Sequence, residues 1–139
     1  MTATEFLSQY QKQNAIAEKR RKEYLIAREK VEAIPSSLST VGMIRPKGYS
    51  KGTEDRILKM AAAREAFVDA EYDALLVRDE VFTMVYDIPG IEGTILIERY
   101  LNLKVWQQII DELGKAPSTV YTAHKRALRI LQDKLDKQS

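Results

Sequence analysis

The stretch that decides the fold lies near the end of the chain and reads Lys104-Val-Trp-Gln-Gln-Ile-Ile-Asp-Glu-Leu-Gly114-Lys-Ala-Pro117-Ser-Thr-Val-Tyr-Thr-Ala-His124-Lys-Arg-Ala-Leu-Arg-Ile-Leu131. Apolar residues keep helical spacing up to Gly114, and a second run with the same spacing follows Pro117. Pro is favoured in the first turn of a helix, and Gly is favoured just past a helix end. Two short helices joined by a glycine-containing turn predict a helix-turn-helix.

The composition limits which classes of protein the chain can belong to. Its 139 residues allow one domain, or a small domain with an appended arm. The absence of Cys excludes disulfides and thiolate metal sites. No segment has the pattern of a signal peptide or of a membrane span. We therefore expect a cytoplasmic protein that has no membrane partner and needs no cofactor.

The net charge of +2 conceals an uneven distribution along the chain. Basic residues exceed acidic ones by 3 in residues 11–34, by 3 in residues 35–52 and by 4 in residues 99–139. In residues 53–98 the acidic residues exceed the basic ones by 7. This polarity can direct the basic C-terminal end towards a polyanion. Alternatively, the acidic stretch can pair with the basic N-terminal helix.

Before the helix-turn-helix, the sequence predicts a long helical arm. Residues 4–34 carry apolar residues at alternating steps of three and four, and Pro35 ends this helix. A second helix is predicted from Thr53, as the N-cap, to Tyr86. It bears two apolar stripes, of which one can pack on the first helix while the other must meet the C-terminal domain or another copy of the protein. The first stripe consists of Ile57, Met60, Phe67, Ala74, Val81 and Val85, and the second of Leu58, Ala61, Val68, Tyr72, Leu75, Phe82 and Tyr86.

Residues 35–52 between the two arm helices are rich in Ser, Pro, Gly and Lys, which predicts a loop. Its basic residues are Arg45, Lys47 and Lys51, and it has no acidic residue. The loop is either a basic arm that touches phosphates or a surface loop with incidental cations, and the second interpretation is the commoner case.

A break at residues 87–93, with Pro89 and two glycines, separates the arm from the rest. We assign residues 1–88 to a helical hairpin and residues 89–139 to the helix-turn-helix domain. A supporting helix is predicted over residues 94–101, followed by a turn at Asn102-Leu103. The predicted fold is therefore all-α.

The second helix of a helix-turn-helix places its first turns in the major groove of DNA. Here that helix starts at Pro117, and periodicity turns Val120, Ala123, Ala127, Leu128 and Leu131 inward. The outward residues are the candidate DNA contacts. Those near the start, which can reach base edges, are Ser118, Thr119 and Thr122; those better placed for phosphates are Tyr121, Lys125, Arg126 and Arg129. Hydroxyl groups discriminate bases poorly, so we expect modest intrinsic specificity.

No pattern in the sequence predicts an enzyme. His124 is the only histidine, and without Cys or a second His it cannot build a zinc site. Asp111 and Glu112 are adjacent on a helix and point in different directions, so they do not form an acid/base pair. The default interpretation of His124 is a helix-face or core residue.

Three segments carry a resemblance to a known family: Ile95-Leu-Ile-Glu-Arg-Tyr-Leu-Asn-Leu-Lys-Val-Trp-Gln-Gln-Ile-Ile-Asp-Glu-Leu-Gly114, Thr119-Val-Tyr and His124-Lys-Arg-Ala-Leu-Arg-Ile-Leu131. They resemble the fourth-region DNA-binding domain of bacterial sigma factors. They resemble still more the sigma-like regulators of phages and prophages of Gram-positive bacteria, of the ArpU and RinA type. The order of an N-terminal helix, a loop and an acidic helix is also similar.

The resemblance implies an activator of late phage genes that acts with the host RNA polymerase. By position it assigns DNA reading to Pro117, Ser118 and Thr122, and places Tyr121, Lys125 and Arg126 near the backbone. The chain departs from the family at Ala116, where Ser or Thr is usual, and at Pro117, where a charged residue is frequent.

From the sequence we thus expect a regulator that binds double-stranded DNA and forms a homo-oligomer through the helical arm. Two alternatives stay open. One is a phage DNA-packaging factor similar to a small terminase subunit, which also joins a helix-turn-helix to oligomerising helices. The other is a protein-interaction module that kept the fold without binding DNA.

Overall fold

The computed structural model describes residues 1–33 and 51–138, and all regular structure in these residues is helical. This confirms the predicted all-α class. The elements in chain order are α1 (Ala3–Glu32), α2 (Lys51–Val85), α3 (Gly90–Leu96), a π-helical turn (Ile97–Leu101), α4 (Trp106–Leu113) and α5 (Pro117–Gln138).

Helix α1 begins close to its predicted start and α2 ends close to its predicted end, with one correction at the start of α2. Thr53 is not the N-cap, because α2 begins at Lys51 and the threonine is already inside the helix with 7% of its surface exposed. The predicted loop at 35–52 and the predicted helix end at Ile34-Pro35 fall on residues 34–50, which lie outside the described residues. Lys51 and Gly52, predicted to end that loop, belong to α2.

The break between the arm and the C-terminal helices is shorter than the sequence predicts. Pro89 has extended backbone angles, and α3 begins directly after it at Gly90 rather than at Thr94. Gly93 does not supply flexibility but allows close packing. A Cβ atom at this position would lie 2.1 Å from the carbonyl oxygen of Ile88.

The two predicted turns of the C-terminal helices are present. Gly114 ends α4 in the left-handed region, with φ of 63°, and its N–H donates to the Ile110 carbonyl over 3.0 Å. Glycine adopts this conformation without a Cβ penalty, which explains its place at the helix end. Leu103 also has a positive φ, 55°, at the turn before α4. As predicted, α5 starts at Pro117.

The described residues form two compact units. Among the described residues, the helix-turn-helix unit comprises residues 1–14 and 73–138, and the arm unit comprises residues 15–33 and 51–72. Helices α1 and α2 contribute residues to both units. The division into domains at residue 88 stays a prediction; the first turns of α1 and the last turns of α2 pack with the C-terminal helices.

Two apolar clusters hold the helix-turn-helix unit together, and α5 belongs to both. The smaller cluster joins α3, α4 and the first turns of α5 through Ile95, Ile109, Ile110, Val120 and Ala123. The larger cluster joins the start of α1, the end of α2 and the later turns of α5, and it includes Phe6, Leu7, Val81, Val85, Leu96 and Leu131. The side chain of Gln132 also accepts a hydrogen bond from the Ala3 N–H over 2.8 Å. The N-terminal residues therefore support α5 directly.

In the arm unit, α1 and α2 run antiparallel. The rings of Tyr24 and Phe67 stack with centroids 6.1 Å apart. Further along α1, Ala27 and Lys30 share a groove with Asp55 and Lys59 of α2, so that residue numbers rise on one helix as they fall on the other. This is the arrangement expected of a helical hairpin.

The two stripes of α2 differ in burial. In the first stripe Ala74, Val81 and Val85 are buried and Ile57, Met60 and Phe67 are half-buried, as predicted. The second stripe is exposed. No part of the C-terminal helices described by the structure covers it, although the rings of Phe82 and Tyr86 stack on each other at 5.7 Å.

The acidic stretch pairs with the C-terminal helices rather than with the basic residues of α1. Asp87 contacts Lys134 and Glu92 contacts Arg126. The ion pairs of α1 in the described residues lie within α1 itself, for example Arg28 with Glu32 at 2.9 Å. The interpretation that the acidic stretch pairs with the N-terminal helix is therefore not supported.

Candidate nucleic-acid interface

Helix α5 displays all of the candidate residues that the sequence singled out. Its inward side is fully buried at Val120, Ala123, Ala127 and Leu131, which fixes the rotation of the helix. The candidate residues on the other sides are all exposed: Pro117, Ser118, Thr119, Tyr121, Thr122, Lys125, Arg126 and Arg129.

The centre of the exposed face is a row of four residues. Ser118, Thr122, Lys125 and Arg129 follow one another at steps of four, three and four residues, so they lie along one side of the helix. Ser118 and Thr122, together with Thr119 and Arg126, line a shallow depression of about 280 Å³. Among the described residues, neither Lys125 nor Arg129 has a carboxylate partner within 4.0 Å. We call these four residues the α5 row.

Arg126 lies to one side of the α5 row and is already paired. Its guanidinium contacts the Glu92 carboxylate at 2.9 and 3.0 Å through two nitrogens. Both nitrogens, Nε and Nη2, contact the same carboxylate oxygen, Oε1 of Glu92, and this charge-assisted contact ties α5 to α3 and offsets the charge of Arg126. Thr119 lies on the same side. Sequence reasoning grouped Arg126 with Lys125 as a phosphate contact, but the geometry separates the two.

Tyr121 lies on the other side, against a cluster of rings. It meets Trp106 edge to face at 5.3 Å, and Trp106 meets His124 at 4.7 Å. The guanidinium of Arg99 lies 4.9 Å from the centroid of the Trp106 ring. Aromatic pairs in these arrangements stabilise packing. The cluster therefore anchors α4 and the π-helical turn against the first turns of α5.

His124 occupies the middle of this cluster and is half-buried. Its Nε2 atom lies 2.9 Å from the Tyr100 hydroxyl. Burial, followed by the positive charge of Arg99, lowers the pKa of His124, and burial raises the pKa of Tyr100. Both groups are therefore uncharged at neutral pH, and the Tyr100 hydroxyl can donate to the ring nitrogen. The position agrees with the interpretation of His124 as a packing residue.

Lys104, a basic residue at the start of the helix-turn-helix, is neutralised by two carboxylates. Its Nζ atom lies 2.8 Å from Glu112 and also contacts Glu98. The hydrogen bond to Glu112, followed by the one to Glu98, raises the pKa of Lys104. The sequence did not reveal this contact, or the pairing of Arg126 with Glu92, because neither has the spacing of neighbours on one helix.

The described residues contain neither a cluster of metal ligands nor a helix suited to crossing a membrane. No group of three or more His, Asp and Glu side chains is placed to hold a metal ion in residues 1–33 and 51–138. Within the same residues no helix combines the length and the hydropathy that crossing a bilayer requires. The candidate interface is a surface of exposed hydroxyls and cations, with the α5 row at its centre.

Comparison of the chain with protein families, with curated proteins and with solved structures finds no match. A function for this surface therefore has to be inferred from the chemistry of its side chains. Hydroxyl groups can donate and accept hydrogen bonds, and cations without a protein partner attract phosphates.

Proposed function

We propose that this protein is a DNA-binding transcriptional regulator that inserts the first turns of α5 into the major groove of double-stranded DNA. The observation that carries the proposal is the α5 row: two hydroxyls followed by two unpaired cations, on the open side of a helix that follows a glycine turn. A helix in this position of a helix-turn-helix is the one that meets base edges.

The proposed roles follow the order of the residues along the helix. Pro117, Ser118, Thr119 and Thr122 belong to the first turns, where side chains reach the bases. Lys125 and Arg129 lie further along and bind backbone phosphates, while Tyr121 adds a hydroxyl at the side of the groove. Arg126 reaches a phosphate only if its contact with Glu92 gives way. Because the base-reading residues offer hydroxyls, most of the affinity comes from the phosphates.

The resemblance to sigma-like phage regulators supports a more specific version of the proposal. In this version the protein activates late phage genes in the cytoplasm of a bacterial host, together with the host RNA polymerase, and acts as a homo-oligomer joined through its helical arm. Selecting bound fragments from phage and host genomes would identify the target sequence.

The test of DNA binding replaces Lys125 and Arg129 together with Ala. Each lost phosphate contact should reduce the slope of log affinity against log salt by about 0.9, so the double variant should lose about 2 from the slope. The loss should be similar on every duplex sequence, because phosphates carry no sequence information. Fluorescence anisotropy of labelled duplexes at several salt concentrations measures both quantities.

The matched control replaces Lys19 and Lys22 of α1 with Ala. Both are exposed, and the control changes the net charge of the protein by the same amount. If the two double variants weaken binding equally, the effect is one of net charge and the α5 row is not the interface. Absence of binding by the parent protein at low salt would instead favour a protein-interaction module.

The exposed second stripe of α2 also fits the alternative of a DNA-packaging factor, because small terminase subunits combine a helix-turn-helix with oligomerising helices. Light scattering separates the two candidates. A large ring in solution would favour packaging, whereas a dimer bound to one site of promoter size would favour regulation.

A further inference from the structure

Helix α2 leaves a row of large apolar side chains uncovered in the helix-turn-helix unit. Leu75 is 58% exposed, Phe82 40% and Tyr86 61%. They lie at steps of seven and four residues, on one side of the helix. Single exposed apolar residues are ordinary on a protein surface, but a contiguous row of this kind marks an interaction surface.

The same spacing continues in the part of α2 that belongs to the arm unit. Leu58 is 61% exposed, Val68 51% and Tyr72 61%. From Leu58 to Tyr86 the stripe follows steps of three and four residues, which is a seven-residue repeat maintained over four heptads. Such a repeat is typical of the seam by which one helix packs along another helix. The required partner is therefore a helix of similar length with a similar stripe.

A second copy of this chain provides such a helix. The exposed parts of the stripe side chains amount to on the order of 600 Å² on each copy. A pair can therefore bury up to about 1,200 Å² in total, which is the lower end of the range for specific interfaces. Apolar side chains at this spacing on two identical helices can interdigitate, so a helix of a different sequence is not needed to cover the stripe.

The charges within the stripe determine the direction of the pairing. Glu65 and Asp79 occupy positions of the repeat where the neighbouring heptads carry Leu or Tyr. In a parallel pair each would face its own counterpart, and like charges directly opposed are destabilising. In an antiparallel pair with its two-fold axis between Tyr72 and Leu75, neither carboxylate faces its own counterpart. Asp79 lies beside Val68 and Glu65 lies beside Phe82 of the second copy, and the exposed Arg64, next to Glu65, offsets the negative charge within one turn of Asp79.

We propose that the exposed stripe of α2 is the interface of an antiparallel homodimer, with the two copies of α2 packed side by side about an axis near Tyr72 and Leu75. This inference rests on the self-association included in the proposed function and does not depend on DNA binding. It names the surface, the partner and the direction of the pairing.

The first experiment measures mass in solution without DNA. Analytical ultracentrifugation over a range of concentrations should show a dimer for the parent protein. Replacing Leu75 with Glu should weaken dimerisation by tenfold or more, because a carboxylate would enter an apolar seam. Phe82→Ala, which adds no charge, should weaken it to a lesser degree. A parent protein that stays monomeric at all concentrations would overturn the proposal and leave the stripe to a helix of another protein.

The control is Ile26→Glu on α1, where the parent side chain is 54% exposed and off the stripe. It introduces the same charge at similar exposure and should leave the dimer intact. Circular dichroism of each variant verifies that the helices persist. If Ile26→Glu and Leu75→Glu reduce the mass equally, the stripe is not the interface. The Lys125→Ala/Arg129→Ala variant should form the dimer to the same extent as the parent protein, whether or not it still binds DNA.

The second experiment tests whether the two α2 helices pair antiparallel. The parent chain has no Cys, so an introduced Cys is the only thiol that can react. Leu58→Cys and Tyr86→Cys are made separately, and a short bismaleimide is added to each variant and to their mixture. In the proposed pair each Leu58 lies near Tyr86 of the second copy, whereas two copies of Leu58 or two copies of Tyr86 are separated by about 38 Å or more at 1.5 Å per residue, which is too far for the linker. Antiparallel pairing predicts cross-linked dimers only in the mixture. Cross-linking of either single variant would overturn the proposed orientation.

Discussion

Gly93 lies where α3 passes closest to the backbone of Ile88, and only a hydrogen fits in the gap. Because an added Cβ would lie 2.1 Å from the Ile88 carbonyl oxygen, Gly93→Ala must shift backbone atoms. We expect it to lower the free energy of unfolding by about 1–3 kcal/mol, the usual cost of overpacking. Urea denaturation followed by Trp106 fluorescence measures the loss.

Gly52→Ala is the matched control for that substitution. A Cβ at Gly52 meets no atom within 4 Å, and Ala favours the helical state. The control should be neutral or slightly stabilising. If both variants had the same midpoint as the parent protein, the close approach at Gly93 would be disproved.

His124 predicts a pH dependence of stability. Its pKa is lowered in the folded protein by burial and by Arg99, so the unfolded chain binds the proton more readily. Above pH 6.5, the ordinary pKa of histidine in an unfolded chain, the ring is neutral in both states and the folded protein has its full stability. As the pH falls from there towards the lower pKa of the folded state, only the unfolded chain gains the proton, so the free energy of unfolding decreases. We expect the midpoint of urea denaturation to decrease between about pH 7.5 and 5. In His124→Gln this decrease should be much smaller, and equal slopes for the two proteins would contradict the assignment.

At the scale of elements, Lys104 holds the π-helical turn and α4 together by contacting Glu98 and Glu112. Lys104→Met keeps most of the side-chain length and removes both charge-assisted contacts. We expect the amides of α4 to exchange hydrogen faster, as measured by mass spectrometry, because the start of this short helix loses its link to the preceding turn. The raised pKa of Lys104 means that the parent protein keeps these contacts until the pH rises through that value.

Lys115→Met is the control for this element. Lys115 lies in the turn between α4 and α5, is exposed, and has no ion pair with another described residue. It removes the same charge nearby and should leave exchange in α4 unchanged. Equal acceleration in both variants would show that local charge, rather than the contact, controls opening of α4.

The elements differ in how well the sequence predicts them. Helix α4, the Gly114 turn and the start of α5 were predicted within one or two residues, because apolar spacing, a glycine helix end and a proline start are all local signals. Helix α5 continues to Gln138, beyond the predicted apolar run that stops at Leu131. The start of α3 was missed by four residues. Gly90 and Gly93 resemble breaks in a short window, and only the structure shows why each is a glycine. Gly90 has a positive φ of 74°, and Gly93 packs against the Ile88 carbonyl.

At the scale of the whole molecule, the N-terminal residues support the helix that carries the candidate interface. Leu7 is fully buried in the cluster that includes Leu131 of α5. Leu7→Ala should therefore lower the free energy of unfolding by about 2–5 kcal/mol. The only tryptophan of the chain, Trp106, should report this loss from the C-terminal helices, since both belong to one compact unit.

Ile16→Ala is the control, since Ile16 is 46% exposed on the same helix. It should change the unfolding midpoint by much less. If Trp106 fluorescence showed the same unfolding midpoint for Leu7→Ala as for the parent protein, the C-terminal helices would fold without support from the start of α1.

The sequence by itself determined the all-α class, the helix-turn-helix and the outward set on α5, because each depends on periodicity and turn chemistry within a few residues. It also contained both stripes of α2. Only the tertiary structure decided which stripe is buried, that Glu92 neutralises Arg126 while Lys125 and Arg129 stay unpaired, and that residues 1–14 pack with the C-terminal helices. These outcomes depend on contacts between residues far apart in the chain, and such pairings have no local spacing from which they can be predicted.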